Sequence, residues 1–270
     1  MSLALSPIRW LVSVWTVREL LWELVRQDIA GRYRGSWLGL LWALLLPLAM
    51  LGMYVLVFGY FLRVRWTDIP SEGGVALALY VGILLFNFLS DVLTRAPGLI
   101  IGNPSFVKKV VFPLDLLPVV TLSAAGFHLT AGLAIWLGFF LVVQGLPALT
   151  LFWLPAIVLV MVPALLGLAW TVAATTVFLR DIGQIVPLAA QGLLFLSPVF
   201  YPLALVPESW RDLMYLNPLT YPIEAARQVM LLGRVPDLAG LGLYFCASLL
   251  GALVGYALFR RLRHAFADCL

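Results

Sequence analysis

Between Leu116 and Leu179 the chain runs for 64 consecutive positions without an Asp, Glu, Lys or Arg. As one helix this stretch would be roughly 96 Å long at 1.5 Å per residue, about three times the hydrocarbon thickness of a bilayer. It must therefore fold back on itself. Gln144, Gly145, Leu146 and Pro147 supply the break, because Gly and Pro end helices and Gln can face water. Two membrane-spanning helices in a tight hairpin are expected. The rest of the composition agrees: charged residues are 11% of the 270 positions, AVILMFWYC residues 63%, and the mean hydropathy is +1.03. So few polar side chains cannot cover a water-exposed surface. A soluble enzyme, a disordered regulator, a disulfide scaffold and a free nucleic-acid binder are disfavoured on these grounds, and no nucleic-acid partner is expected.

A spanning helix needs about 20 mostly apolar residues with every backbone polar group satisfied internally. Uncharged runs at Gly35–Leu62, Gly73–Ser90, Ile182–Pro207 and Leu238–Phe259 join the hairpin. The expected fold class is an all-α integral membrane protein with six transmembrane helices, at about 36–62, 73–92, 116–143, 149–179, 182–205 and 238–259. An arm, 1–34, precedes this body, 35–270. Its apolar residues Trp10, Leu11, Val14, Trp15, Leu21, Trp22, Leu24 and Val25 recur at helical spacing among Arg18, Glu19, Glu23 and Arg26, which predicts an amphipathic interfacial helix. It reads as a membrane anchor, or as an anchor that also braces a cytoplasmic partner. The longest uncharged stretch in the first thirty residues, Trp10–Val17, is too short for a signal-peptide core. An even number of spans puts both termini on one side. That side carries 12 basic residues against 5 opposite, so the positive-inside rule places both termini in the cytoplasm of a multi-pass protein.

The chemistry-bearing residues are sparse. There is no G-x-x-x-x-G-K-[ST] phosphate loop, no H-E-x-x-H and no G-x-S-x-G elbow. Cys246 and Cys269 form neither a disulfide framework nor a metal spacing, so no catalytic residue, metal or cofactor is expected in this chain. His128, inside the third span, is expected to be a neutral ring hydrogen-bonded to a neighbouring helix. Asp91 and Arg95 have the spacing of an i, i+4 ion pair. Between the second and third spans, Asn103 and Pro104 start a short amphipathic helix through Phe106, Lys108 and Lys109 that Pro113 stops. It is a segment that a partner can grip, or a loop that simply obeys the positive-inside rule. After the fifth span, short helices are expected from Pro207 and over Ile223–Leu232, the latter closed by Gly233.

Four separated segments carry a family resemblance: Arg26–Phe61 (RQDIAGRYRGSWLGLLWALLLPLAMLGMYVLVFGYF), Asn103–Pro113 (NPSFVKKVVFP), Arg180–Ile182, and Ser197–Tyr201 (SPVFY) with Asn217–Arg227 (NPLTYPIEAAR). In order and topological station they resemble ABC-2 type permeases that export polysaccharide, including O-antigen, capsule and teichoic acid. The resemblance implies a homodimer of six-span subunits in the bacterial inner membrane, with two copies of a separate cytoplasmic ATPase that binds ATP and Mg, and a lipid-linked polysaccharide as cargo. It further implies that Asn103, Pro104, Phe106, Lys108, Lys109, Phe112 and Pro113 form an ATPase-coupling helix, with Arg180 and Asp181 near a second contact. The short helices after the fifth span look like the family's external re-entrant elements.

Beside that resemblance, Trp42, Tyr54 and Phe58 on the first span and Phe195, Phe200 and Tyr201 on the fifth are candidates for a translocation path, because aromatic faces bind pyranose rings without fixing one register. Gly31, Gly35 and Gly39, and likewise Gly251 and Gly255, have the four-residue spacing that lets helices approach closely. Two other readings remain open here: export of a drug, lipid or other amphiphile, and a membrane enzyme acting on isoprenoid-linked sugars.

Overall fold

The computed structural model describes residues 14–62, 66, 73–108 and 113–269. Helix dominates, and there is no β-strand among the described residues. Five helices are long and apolar enough to cross a membrane: Gly39–Phe61, Gly74–Arg95, Leu114–Val143, Leu149–Thr176 and Leu238–Ala265. They coincide with the expected first, second, third, fourth and last spans. The predicted break in the long uncharged run is present, with Gly145 at φ +85° between Val143 and a 3-10 turn at Leu149–Trp153.

The fifth apolar run forms a 15-residue helix, Ile182–Leu196, and not one continuous element to residue 205. At about 22 Å it is shorter than a bilayer's hydrocarbon core. The reason is local: Pro198 disfavours helical geometry in the residue before it, and Ser197 is extended at φ −95°, ψ 152°. The chain then continues through a 3-10 turn at Leu203–Leu205, a short helix at Glu208–Met214 and a helix at Thr220–Met230, followed by Gly233 at φ +62°.

The spans are unequal in surroundings. In the most apolar window of the second span 83% of residues are buried, against 11% in the first and last spans. The second span is thus the axis of the body, and the first and last present apolar surface outward. The last span packs closely on the fourth, because a Cβ at Gly167 or Gly255 would run into the facing backbone of Gly251 or Gly167. Ser248 Oγ also donates to Val160 O across this contact, at 2.6 Å. The expected close approach at Gly251 and Gly255 is therefore present. At Gly31, Gly35 and Gly39 it is not: nothing lies within 4 Å of a Cβ at any of them. Gly35 and Gly39 instead have φ of +83° and +52°, and glycine's access to this left-handed region turns the chain from the arm into the first span.

The first span is compound. A 3-10 turn (Gly39–Leu41) leads into an α-helix (Trp42–Tyr54) containing Pro47, and a π-helix follows at Val55–Phe61. The arm helix is Arg18–Tyr33; its expected beginning at Trp10 and Leu11 lies outside the described residues.

Candidate functional site

The π-helix of the first span and the turn after the fifth apolar helix converge. Tyr54 and Phe58 have ring centroids 6.2 Å apart, Phe58 stacks on Phe200 at 6.5 Å with planes 19° apart, and Phe200 meets Phe195 at 6.2 Å. Tyr201 Oη donates to Phe195 O at 3.1 Å. Four of the six aromatics proposed from the sequence are thereby brought into one row, and Tyr201 is tied to it through the Phe195 carbonyl. Trp42 is not; it lies twelve residues before Tyr54, about 18 Å away along the helix. The row starts in π-geometry, a local departure from α-helix that recurs at functional sites. Phe58 and Phe200 are backed by a small buried cluster of Trp66, Val75, Ala78 and Leu79.

The turn that carries Phe200 and Tyr201 is fastened by Asn217 and Arg227, the two ends of a segment that carries the resemblance but whose side chains have no role assigned above. Asn217 Nδ2 donates to Ser197 Oγ at 2.9 Å and to Leu196 O at 3.2 Å. Arg227 is buried, and its guanidinium donates to Val199 O (2.7 Å), Ala78 O (3.2 Å) and Tyr201 O (3.4 Å). It also pairs with Glu224 at 3.1 Å and lies 4.8 Å over the Trp66 ring, a cation–π geometry. Burial pushes its pKa down to about 10, with Glu224 pulling the other way, so the group stays charged at neutral pH. Gly82 makes the fit possible, since a Cβ there would meet Arg227 Nη2 and Val199 Cα, both at 3.2 Å. The available signals were the i, i+3 spacing of Glu224 and Arg227 and their place in the Asn217–Arg227 segment; by charge counting alone Arg227 reads as one more loop cation.

At the other end of the second span the coupling candidates lie close to the body. Asn103 Nδ2 donates to Leu99 O at 3.0 Å, and its carbonyl accepts from Phe106 N at 3.0 Å, which starts the helix Pro104–Lys108. Phe106 packs against the core and Pro113 is extended. Lys109, Phe112 and the side chain of Lys108 lie outside the described residues. Arg180 and Asp181 form the exposed turn before the fifth helix. A Cβ at Gly183 would sit 3.7 Å from Pro97 Cβ, so this turn adjoins the start of the Pro97–Lys108 segment.

The same end holds a charge cluster. Asp91 and Arg95 do not pair with each other as their spacing predicts; each reaches across to the arm helix. Arg32 Nη2 straddles both Asp91 oxygens at 2.7 and 2.6 Å, and Arg95 pairs with Asp28. Both helices carry acid then base four residues apart, so crossing in opposite directions satisfies two pairs at once. Tyr33 Oη hydrogen-bonds His128 Nδ1 at 3.2 Å, the neighbouring-helix contact expected for that ring. Beside them is a cavity of about 280 Å³ lined by polar Arg32, Asn87, Asp91 and His128 and by apolar residues that include Leu46, Met50 and Phe88.

A profile of the ABC-2 type transporter family matches residues 19–231. The O-antigen export system permease protein RfbA of Myxococcus xanthus is 29% identical over 267 residues, covering 97% of this chain and all of the relative. RfbA of Klebsiella pneumoniae is 25% identical over 253 residues, 93% of this chain and 95% of the relative. The polysialic acid transport protein KpsM of Escherichia coli is 25% identical over 240 residues, 87% and 90% respectively. With its helical membrane body and a profile match across most of its length, the chain belongs to the ABC-2 type transporter family.

Proposed function

We propose that this chain is the transmembrane subunit of an ATP-driven exporter that moves a lipid-linked polysaccharide of O-antigen or capsule type across the bacterial inner membrane. The observation that carries the reading is the aromatic row Tyr54–Phe58–Phe200–Phe195, which joins the first span to the turn after the fifth helix. A surface of stacked rings holds successive sugars with similar energy and leaves the chain free to slide. The names of the relatives, O-antigen export and polysialic acid transport, support the same cargo class.

In this reading the subunit has six spans, the fifth completed by the residues beyond Leu196, and the helices Glu208–Met214 and Thr220–Met230 are re-entrant elements on the outer side. It works as a homodimer with the path between subunits, N and C termini in the cytoplasm. Two copies of a separate ATPase bind ATP and Mg and seat against Asn103, Pro104, Phe106, Lys108, Lys109, Phe112 and Pro113, with Arg180 and Asp181 beside them. ATP then acts through the different affinities of the ATPase dimer for two states of the membrane body.

The test is deletion of the coding sequence followed by complementation. Surface polysaccharide should disappear with intracellular accumulation of the lipid-linked polymer, and return with the wild-type chain. A tagged chain purified in mild detergent should bring down an ATPase subunit in equal amount. Accumulation of no polymer, or purification of the chain alone, would sink the reading. Lys108→Glu with Lys109→Glu should leave insertion intact and abolish export while ATP hydrolysis continues; normal export would remove those cations from coupling.

A further inference from the structure

We propose that Arg227 is a positioning residue for transport: it pins the Ser197–Tyr201 turn to the second span and so holds Phe200 in register with Phe58 in the aromatic row. The proposal rests on the reading of that row as the cargo surface. Its basis is the choice of partners. A guanidinium presents five donors in a rigid plane, and here they are spent on three main-chain carbonyls from two segments: Val199 and Tyr201, flanking Phe200, and Ala78 on the second span. None of these carbonyls can move away without leaving a buried charge less satisfied.

The surroundings fit a clamp more closely than a generic ion pair. Glu224 sits one turn away on Arg227's own helix, so that pair adds nothing between elements. The Trp66 ring beneath the guanidinium belongs to the cluster that backs both Phe58 and Phe200. Gly82 leaves room for the guanidinium and for Val199 together, so the second span is shaped to receive both parts of the clamp. Since Phe200 is the ring through which the first-span aromatics reach Phe195, displacement of this turn would split the row at its middle.

The experiment has one arm that needs no cargo and one that does. In purified protein, Arg227→Lys keeps the charge but cannot hold three carbonyls in one plane. Amide hydrogen exchange at Val199, Phe200 and Tyr201 should rise about tenfold or more while the arm helix is unchanged. In cells, Arg227→Ala should reach the membrane but lose at least about nine-tenths of export. The clamp is then replaced covalently by Gly82→Cys with Val199→Cys in that background, with Cys246 and Cys269 changed to Ser. A Cβ at position 82 lies 3.2 Å from Val199 Cα, so the turn yields by a few tenths of an ångström to accept the bridge, and removal of the guanidinium relieves the contact with Nη2. Under oxidising conditions export should recover to at least about half, and reductant should abolish the recovery.

A residue needed only for folding would not be rescued in this redox-dependent way. Unchanged exchange in Arg227→Lys overturns the proposal. So does normal export by Arg227→Ala, or a disulfide that forms without restoring export. Should Arg227→Ala fail to reach the membrane, Arg227→Lys decides: normal export by it overturns the clamp, and reduced export with loosened amides sustains it. If the wild-type chain moves no polysaccharide, the cargo reading fails on its own and the exchange arm still judges the clamp.

Discussion

The two ends of the second span are each held by arginine, in opposite ways. At the Arg95 end, Asp91 and Arg95 of the second span pair with Arg32 and Asp28 of the arm helix, and all four side chains keep between 23% and 29% of their surface exposed. At the Gly74 end, about 20 Å along the helix, Arg227 is 4% exposed and is held mostly by main-chain carbonyls. The first is a contact between side chains, so its charges can be exchanged while the geometry is kept. The second joins a side chain to backbone, and no exchange of charges can reconstitute it. The second span therefore has one fastening between partly exposed side chains and one that is buried.

The largest effect expected from this contrast is at Arg227. Arg227→Leu leaves three carbonyls and Glu224 without their donor and should lower unfolding stability in detergent by about 3 kcal/mol, with no second-site charge change restoring it. Restoration by reversing Glu224 would break the contrast. At the arm, Asp28→Arg faces Arg95 with a like charge and should cost about 2 kcal/mol, while Asp28→Arg with Arg95→Asp should regain most of it. A double mutant as unstable as the single one would show that the arm is held by packing. The smallest effect is that of salt. Raising ionic strength from about 0.05 to 0.5 M should shrink the Asp28–Arg95 coupling energy in a double-mutant cycle by about half, and leave the cost of Arg227→Leu unchanged.

Much of the body was legible because lipid imposes a strong local code. A run of about 20 apolar residues has to be helical wherever it crosses the bilayer, so the first, second, third, fourth and last spans and the Gly145 turn follow from composition and length. The end of the helix at Leu196 is not visible to a count of charges, whereas Pro198 disfavours helical geometry at Ser197. The site was legible in part. Aromatics could be nominated from the two segments, but that Phe58 stacks on Phe200 depends on residues 142 positions apart meeting. Asp91 and Arg95 show the same limit: the spacing correctly placed both on one helix face, and only the approach of the arm decided that each would pair elsewhere.

By itself, then, the sequence determined a membrane solvent, the helices that follow from it, the points where Gly and Pro turn the chain, and the segments that carry the family resemblance. All of these depend on forces acting within one helical run or its immediate neighbours. Only the tertiary structure decided which polar groups share the few buried hydrogen bonds. Arg227 and Ala78 are 149 positions apart, and in a medium that offers no competing water the partner of a charged group is whichever acceptor the packing of helices delivers.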